Sequence, residues 1–102
     1  MDLKLKDRVA LITGSGQGIG RAIALALAAE GVRIAVNDVN AKAIEETVAL
    51  VRKAGVAAMA ARCDITDLAA VREMARKVEA EFGRMDILVN NAAVLLAHEL
   101  FL

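Results

Sequence analysis

The stretch ITGSGQGIGR, residues 12–21, holds four of the seven glycines in the chain, at positions 14, 16, 18 and 20. Glycine loses more backbone freedom on folding than any other residue, so such a cluster implies that something approaches this backbone closely. An apolar, β-branched run, RVALIT (8–13), precedes it and a helical pattern follows it. A glycine-rich turn between a strand and a helix presents backbone N–H groups and a positive helix terminus, with no β-carbons to keep an anion away. The spacing excludes two versions of that device. A P-loop ends in Gly-Lys-Ser/Thr, whereas Gly20 is followed by Arg21 and Ala22. The strict G-x-G-x-x-G pattern meets Ile19 or Arg21 where its last glycine belongs. The pattern that fits is Thr-Gly-x-x-x-Gly-Ile-Gly, Thr13 to Gly20.

Outward from this turn, apolar runs alternate with helical periodicity. VRIAVN (32–37) and DILVNN (86–91) read as strands like RVALIT. VAAMAARC (56–63) is a weaker strand because alanine suits strands poorly. Ile19, Ile23, Ala26 and Leu27 form one helical face, Ile44, Val48 and Val51 a second, and Leu68, Val71, Ala75, Val78 and Phe82 a third. Gly31, Gly55 and Gly83 stand where the helices should end. Asn40 and Thr66 are the expected N-caps of the second and third. Glu73 precedes Lys77 by one helical turn, the order expected of a surface ion pair. The order β-α-β-α-β-α-β predicts an α/β fold with right-handed crossovers and a parallel sheet.

Composition narrows the functional classes. At 102 residues and 58% hydrophobic, the chain is expected to form one domain (1–102), with residues 94–102 an apolar tail. No apolar run reaches the about 18 residues of a membrane span, and MDLKLKDR reads as no secretory signal. A net charge of zero without a basic stripe argues against nucleic acid as a partner. One cysteine, Cys63, fits a reducing compartment, so a cytoplasmic location is expected; as a side chain it reads as a small buried apolar group. His98 reads as a surface residue in the apolar tail.

The glycine turn, Asp38 after the second run, CDITD (63–67) after the third and NNAA (90–93) after the fourth together resemble the short-chain dehydrogenase/reductase family. The resemblance covers nearly the whole chain but only the N-terminal, cofactor-binding portion of a family subunit. It implies a partial Rossmann-type sheet with strand order 3-2-1-4. It also implies that Gly14, Ser15, Gln17, Gly18 and Ile19 wrap the pyrophosphate and that Gly20 lets the first helix pack on the sheet. Asp64 and Ile65 would contact the adenine, Asn91 and Ala92 the nicotinamide-side ribose, while Thr13 and Asn90 brace the turn. Ala93 stands where the family usually has glycine.

The cofactor is expected to be NAD rather than NADP. A carboxylate at Asp38 accepts hydrogen bonds from ribose hydroxyls and repels a 2′-phosphate. Gln17 occupies the position where NADP-using relatives often carry a basic residue, and Arg21 lies on the helix. Asp38 could otherwise start a turn or cap a helix, and Asp64 could act as a local cap.

The family's catalysis uses a serine and a Tyr-x-x-x-Lys pair, the tyrosine serving as general acid/base. These 102 residues contain no tyrosine, and their only serine is Ser15. The chain alone is therefore expected to hold NAD(H) without catalysing the parent alcohol/ketone hydride transfer, so no residue is assigned a catalytic role and none a metal-binding one. The alternatives are a non-catalytic nucleotide-binding or interaction module, or a truncated product without a role of its own. An open fourth strand and the apolar tail predict self-association.

Overall fold

The computed structural model describes residues 4–91. Its elements are β1 (Val9–Ile12), α1 (Gly18–Ala29), β2 (Arg33–Val36), α2 (Ala41–Lys53), β3 (Ala58–Ala60), α3 (Leu68–Phe82) and β4 (Ile87–Val89). All pairings are parallel and the strand order is β3-β2-β1-β4, as expected. Each strand is shorter than the apolar run that contains it, most clearly β3, where only Ala58–Ala60 joins the ladder.

The pleat sends alternate residues to opposite faces. Ala10, Ile12, Ile34 and Val36 meet Ala24, Ala28, Ile44, Val48 and Val51 on the face covered by α1 and α2. Val9, Leu11 and Ala35 meet Met74 and Val78 of α3 on the other. Burial on both faces explains why β1 and β2 read as continuous apolar runs rather than alternating ones.

Four helical details depart from the sequence reading. Ile19 is 70% exposed and Ala26 is exposed too, and α1 instead faces the sheet with Gly20, Ala24 and Ala28. The small residues of that stripe are the buried ones, while Ile19, in the first turn, stays exposed. Leu68 is likewise 63% exposed at the start of α3, whose buried residues are Met74 and Val78. The N-cap of α3 is Asp67, not Thr66: Asp67 accepts the Ala70 N–H at 3.2 Å. Thr66 is drawn back to Asp64, donating its N–H and hydroxyl to Oδ1 at 2.9 and 2.7 Å. Glu73 pairs with Arg76 at 3.4 Å rather than forming the expected pair with Lys77. Asn40 caps α2 as expected, accepting the Ala43 N–H at 3.0 Å, and Gly31, Gly55 and Gly83 follow the three helices with positive φ.

At the opposite end of the sheet from the glycine turn, Asp86 ties β4 to β1. Its carboxylate accepts the Val9 N–H at 2.9 Å and is paired with Arg84 at 2.7 Å and Arg8 at 3.3 Å. Hydrogen bonding from Arg84, then from Val9, lowers its pKa to about 2. Arg33 joins the N-terminal loop to the end of α3, donating to Asp7 O at 2.9 Å and Phe82 O at 3.2 Å with its guanidinium over the Phe82 ring.

Candidate functional site

The residues singled out from the sequence gather at the carboxyl ends of the strands. Gly14 follows β1, Asp38 follows β2, Asp64 and Ile65 follow β3, and Asn91 follows β4. Parallel α/β sheets hold ligands along this edge, where the strand order reverses, here between β1 and β4.

The four glycines of the turn have two different reasons to be glycine. Gly14 and Gly18 have φ values of 62° and 61°, a region that side chains with a β-carbon adopt at a cost. Gly16 and Gly20 are glycine for space. A Cβ on Gly16 would lie 2.7 Å from Asp38 Oδ2 and 2.9 Å from the Ala43 Cβ. One on Gly20 would lie 2.1 Å from the Gly14 carbonyl oxygen. The expectation that Gly20 admits close helix–sheet packing is thereby sharpened, since the nearest backbone belongs to the turn itself.

Ser15 is fully buried. Its hydroxyl donates to Ile12 O at 2.7 Å and accepts the Asn37 N–H at 3.1 Å. Its own N–H donates to Asn37 O at 2.8 Å. The two Asn37 contacts hold the turn to the end of β2, and the Ile12 contact holds it to β1. Thr13 and Asn90 brace the turn as expected: the Thr13 hydroxyl lies 3.3 Å from both Val89 O and Asn90 Oδ1, and its N–H donates to Val89 O at 3.0 Å. Asn91 donates from Nδ2 to Gly14 O at 3.4 Å, linking the end of β4 to the turn. Ala92, Ala93, His98 and the 94–102 tail lie outside the described residues.

Beyond the turn, Gln17, Gly18 and Ile19 are exposed at the start of α1. The first amides of a helix have no intrahelical acceptor, and Gln17 supplies no side-chain cap, whereas Asn40 and Asp67 cap α2 and α3. A Cβ on Gly18 would meet nothing within 4 Å. Uncapped amides under open space suit a diphosphate.

Asp38 stands beside this turn. Its Oδ2 accepts the Gly16 N–H at 3.1 Å, and its Oδ1 accepts those of Val39 and Asn40 at 2.8 and 3.3 Å. A cleft of about 150 Å³ brings Gly14, Asn37, Asp38, Val39, Asp64 and Ile65 together. The Thr66 hydrogen bonds hold the Asp64 carboxyl below the ordinary carboxylate range, and burial, followed by the charges of Asp67 and Asp64, pushes the Cys63 thiol up. Among the described residues no cluster of metal-ligating side chains is present, and no helix is long and apolar enough to cross a membrane.

Two features escaped the sequence reading. Asn37, almost fully buried, ties three strand ends together. Its Nδ2 donates to Ala61 O at 2.9 Å and Cys63 O at 3.2 Å, and its Oδ1 accepts the Gly14 N–H at 3.4 Å. The signal was an asparagine closing a run of buried apolar residues, a position where an amide needs internal partners. The second is the grip of Arg21 and Thr47 on the Gly16 carbonyl, for which sequence periodicity carries no signal.

Comparisons with known proteins follow the same segment. The family described as short chain dehydrogenase matches residues 8–101. A D-threitol dehydrogenase of Mycolicibacterium smegmatis is 47% identical over 93 residues, covering 91% of this chain and 36% of that protein. A crystal structure of a hydroxysteroid dehydrogenase from Escherichia coli superposes with a TM-score of 0.81 at 40% identity, covering 84% of this chain and 37% of that one. An NAD+-bound xylitol dehydrogenase structure superposes equally well, with a TM-score of 0.81 at 44% identity over 83% of this chain and 33% of that one. The chain therefore spans about a third of the length of the relatives it matches.

Proposed function

Because the chain belongs to the short-chain dehydrogenase family, we propose that its cleft binds NAD(H) for hydride transfer between that cofactor and an alcohol/ketone substrate. The observation that carries the reading is the position of Asp38, held by three amides beside the glycine turn and lining the same cleft as Gly14, Asp64 and Ile65. In the proposed complex Gly14, Gln17, Gly18 and Ile19 surround the diphosphate; Ser15, expected to wrap it as well, is given instead the role of holding the turn in shape, because it is buried with its hydroxyl and N–H donating to Ile12 O and Asn37 O. Asp38 accepts from the adenosine ribose, Asp64 and Ile65 border the adenine, and Asn91 lies toward the nicotinamide ribose. The bound cofactor supplies or accepts the hydride; these residues bind and orient it.

Preference for NAD over NADP rests on charge. The Asp38 carboxylate repels a 2′-phosphate. Gln17 brings no cation, and the Arg21 guanidinium is engaged by Gly16 O, Thr47 and Glu46. A superposable relative is an NAD+-bound xylitol dehydrogenase. Calorimetric titration with both cofactors tests the preference; NADP binding as tightly as NAD overturns it.

We read the chain as one cofactor-binding domain, and its sequence lacks the tyrosine of the family's acid/base chemistry. Mixed with NAD and a panel of alcohols, the chain alone is expected to show no turnover, and appearance of NADH would refute that. A cytoplasmic, reducing setting suits the single thiol, and neither nucleic acid nor a membrane is a proposed partner. A second reading, an interaction module that self-associates, draws on Leu88, which is 61% exposed on β4, the last of the described strands in the sheet order.

A further inference from the structure

We propose that Arg21 and Thr47 are positioning residues for cofactor selection, gripping the Gly16 carbonyl so that the Gly16 N–H holds Asp38 in place. The inference rests on the NAD-binding reading above. Gly16 is held on both sides. Its N–H donates to Asp38 Oδ2 at 3.1 Å, while its carbonyl accepts the Thr47 hydroxyl at 3.0 Å and an Arg21 Nη2 hydrogen. Arg21 Nε donates to Thr47 Oγ1 at 2.8 Å, and its Nη2 also meets Glu46 Oε2 at 3.2 Å.

Thr47 is fully buried in the middle of α2. A threonine in a helix commonly turns its hydroxyl to the carbonyl one turn back; this one donates across to the turn after β1. Gly16 is also closely flanked, because Asp38 Oδ2 and the Ala43 Cβ occupy the space a side chain would take. Three elements thus converge on one residue: the end of β2 through Asp38, α1 through Arg21 and α2 through Ala43 and Thr47.

The consequence concerns hydrogen-bonding capacity. A carboxylate offers about four lone-pair sites, and three amide donors already meet Asp38. Where the remaining capacity points depends on Gly16 staying in place, and binding groups must be held to about 0.5 Å to be selective. Loss of the grip on Gly16 therefore alters how Asp38 discriminates a ribose hydroxyl from a 2′-phosphate.

The test measures NAD and NADP affinities by calorimetry, with thermal midpoints, for the chain and for Thr47→Val, Thr47→Ser, Arg21→Met, Asp38→Ala and Thr47→Val/Asp38→Ala. Asp38→Ala is expected to shift the NAD-to-NADP ratio toward NADP. Thr47→Val and Arg21→Met are expected to shift that ratio by about fivefold or more, with Thr47→Ser retaining the original value. On the Asp38→Ala background, Thr47→Val is expected to leave the ratio unchanged, because the two act through one contact. If Asp38→Ala shifts the ratio while Thr47→Val and Arg21→Met lower only the midpoint or both affinities equally, the positioning role is overturned and the NAD reading stands. If the unaltered chain binds neither cofactor, or Asp38→Ala leaves the ratio unchanged, the NAD reading fails and this inference with it. Should Thr47→Val not fold, Arg21→Met carries the same comparison, since its side chain is partly exposed.

Discussion

Gly20 sits so close to Gly14 that a Cβ on it would lie 2.1 Å from the Gly14 carbonyl oxygen and 2.8 Å from the carbonyl carbon. The neighbour is backbone within the turn, so no rotamer change relieves the overlap. Gly20→Ala is expected to destabilise the chain by about 2–3 kcal/mol, the upper range for an overpacked site. Urea denaturation checks this; a midpoint unchanged from the parent would contradict the close approach.

Asp38 is the residue on which cofactor choice should turn. Asp38→Ala removes the acceptor proposed for the ribose and releases the Gly16, Val39 and Asn40 amides it holds. NAD affinity is expected to fall about tenfold or more, the scale of hydrogen bonds to a charged group. NADP affinity is expected to fall less or to rise, because the repelling charge is gone. Titration calorimetry reads both, and equal losses for the two cofactors would count against the ribose role.

Asp86 makes a prediction about acid. Its pKa is lowered to about 2 by Arg84, Val9 and Arg8, against about 3.9 for an unfolded aspartate. A depressed folded pKa means stability that is present above the unfolded value and lost as pH falls toward the folded one. The chain should therefore lose stability between about pH 4 and pH 2 through this group, and Asp86→Asn should flatten that part of the profile. Identical acid profiles for the two proteins would remove Asp86 from the account.

The cap of α3 can be assigned by substitution. Asp67→Ala is expected to cost about 1 kcal/mol. Thr66→Ala should alter the Asp64 loop and leave α3 intact, because Thr66 bonds to Asp64. Thermal melts of the two variants distinguish them, and an equal loss of α3 helicity in Thr66→Ala would return the cap to Thr66.

Leu88 offers a test of self-association. It is 61% exposed on β4, which pairs only with β1 among the described strands. Apolar edge strands pair readily with other chains, and a lysine there opposes it. Leu88→Lys is expected to shift sedimentation toward monomer. A parent chain that is monomeric at all concentrations would refute the proposal.

The sequence by itself determined the element order, the parallel sheet and the family. Those follow from local signals: apolar runs at β1 and β2, helical stripes such as Ile44, Val48 and Val51, and a glycine spacing that few backbones tolerate. Asn40 was legible as a cap because its partner is three residues away. The exposure of Ile19 was not, because periodicity marks an apolar stripe without saying that the smaller residues beside it are the ones buried. Tertiary structure alone decided which glycines of the turn are there for positive φ and which for space, which donors Ser15 keeps within the chain, and what holds Asp38. Arg21 and Thr47 meet across 26 positions, and Asn37 reaches Gly14 across 23. Contacts of that kind leave no periodic trace, because parallel crossovers join strand ends that are distant in sequence.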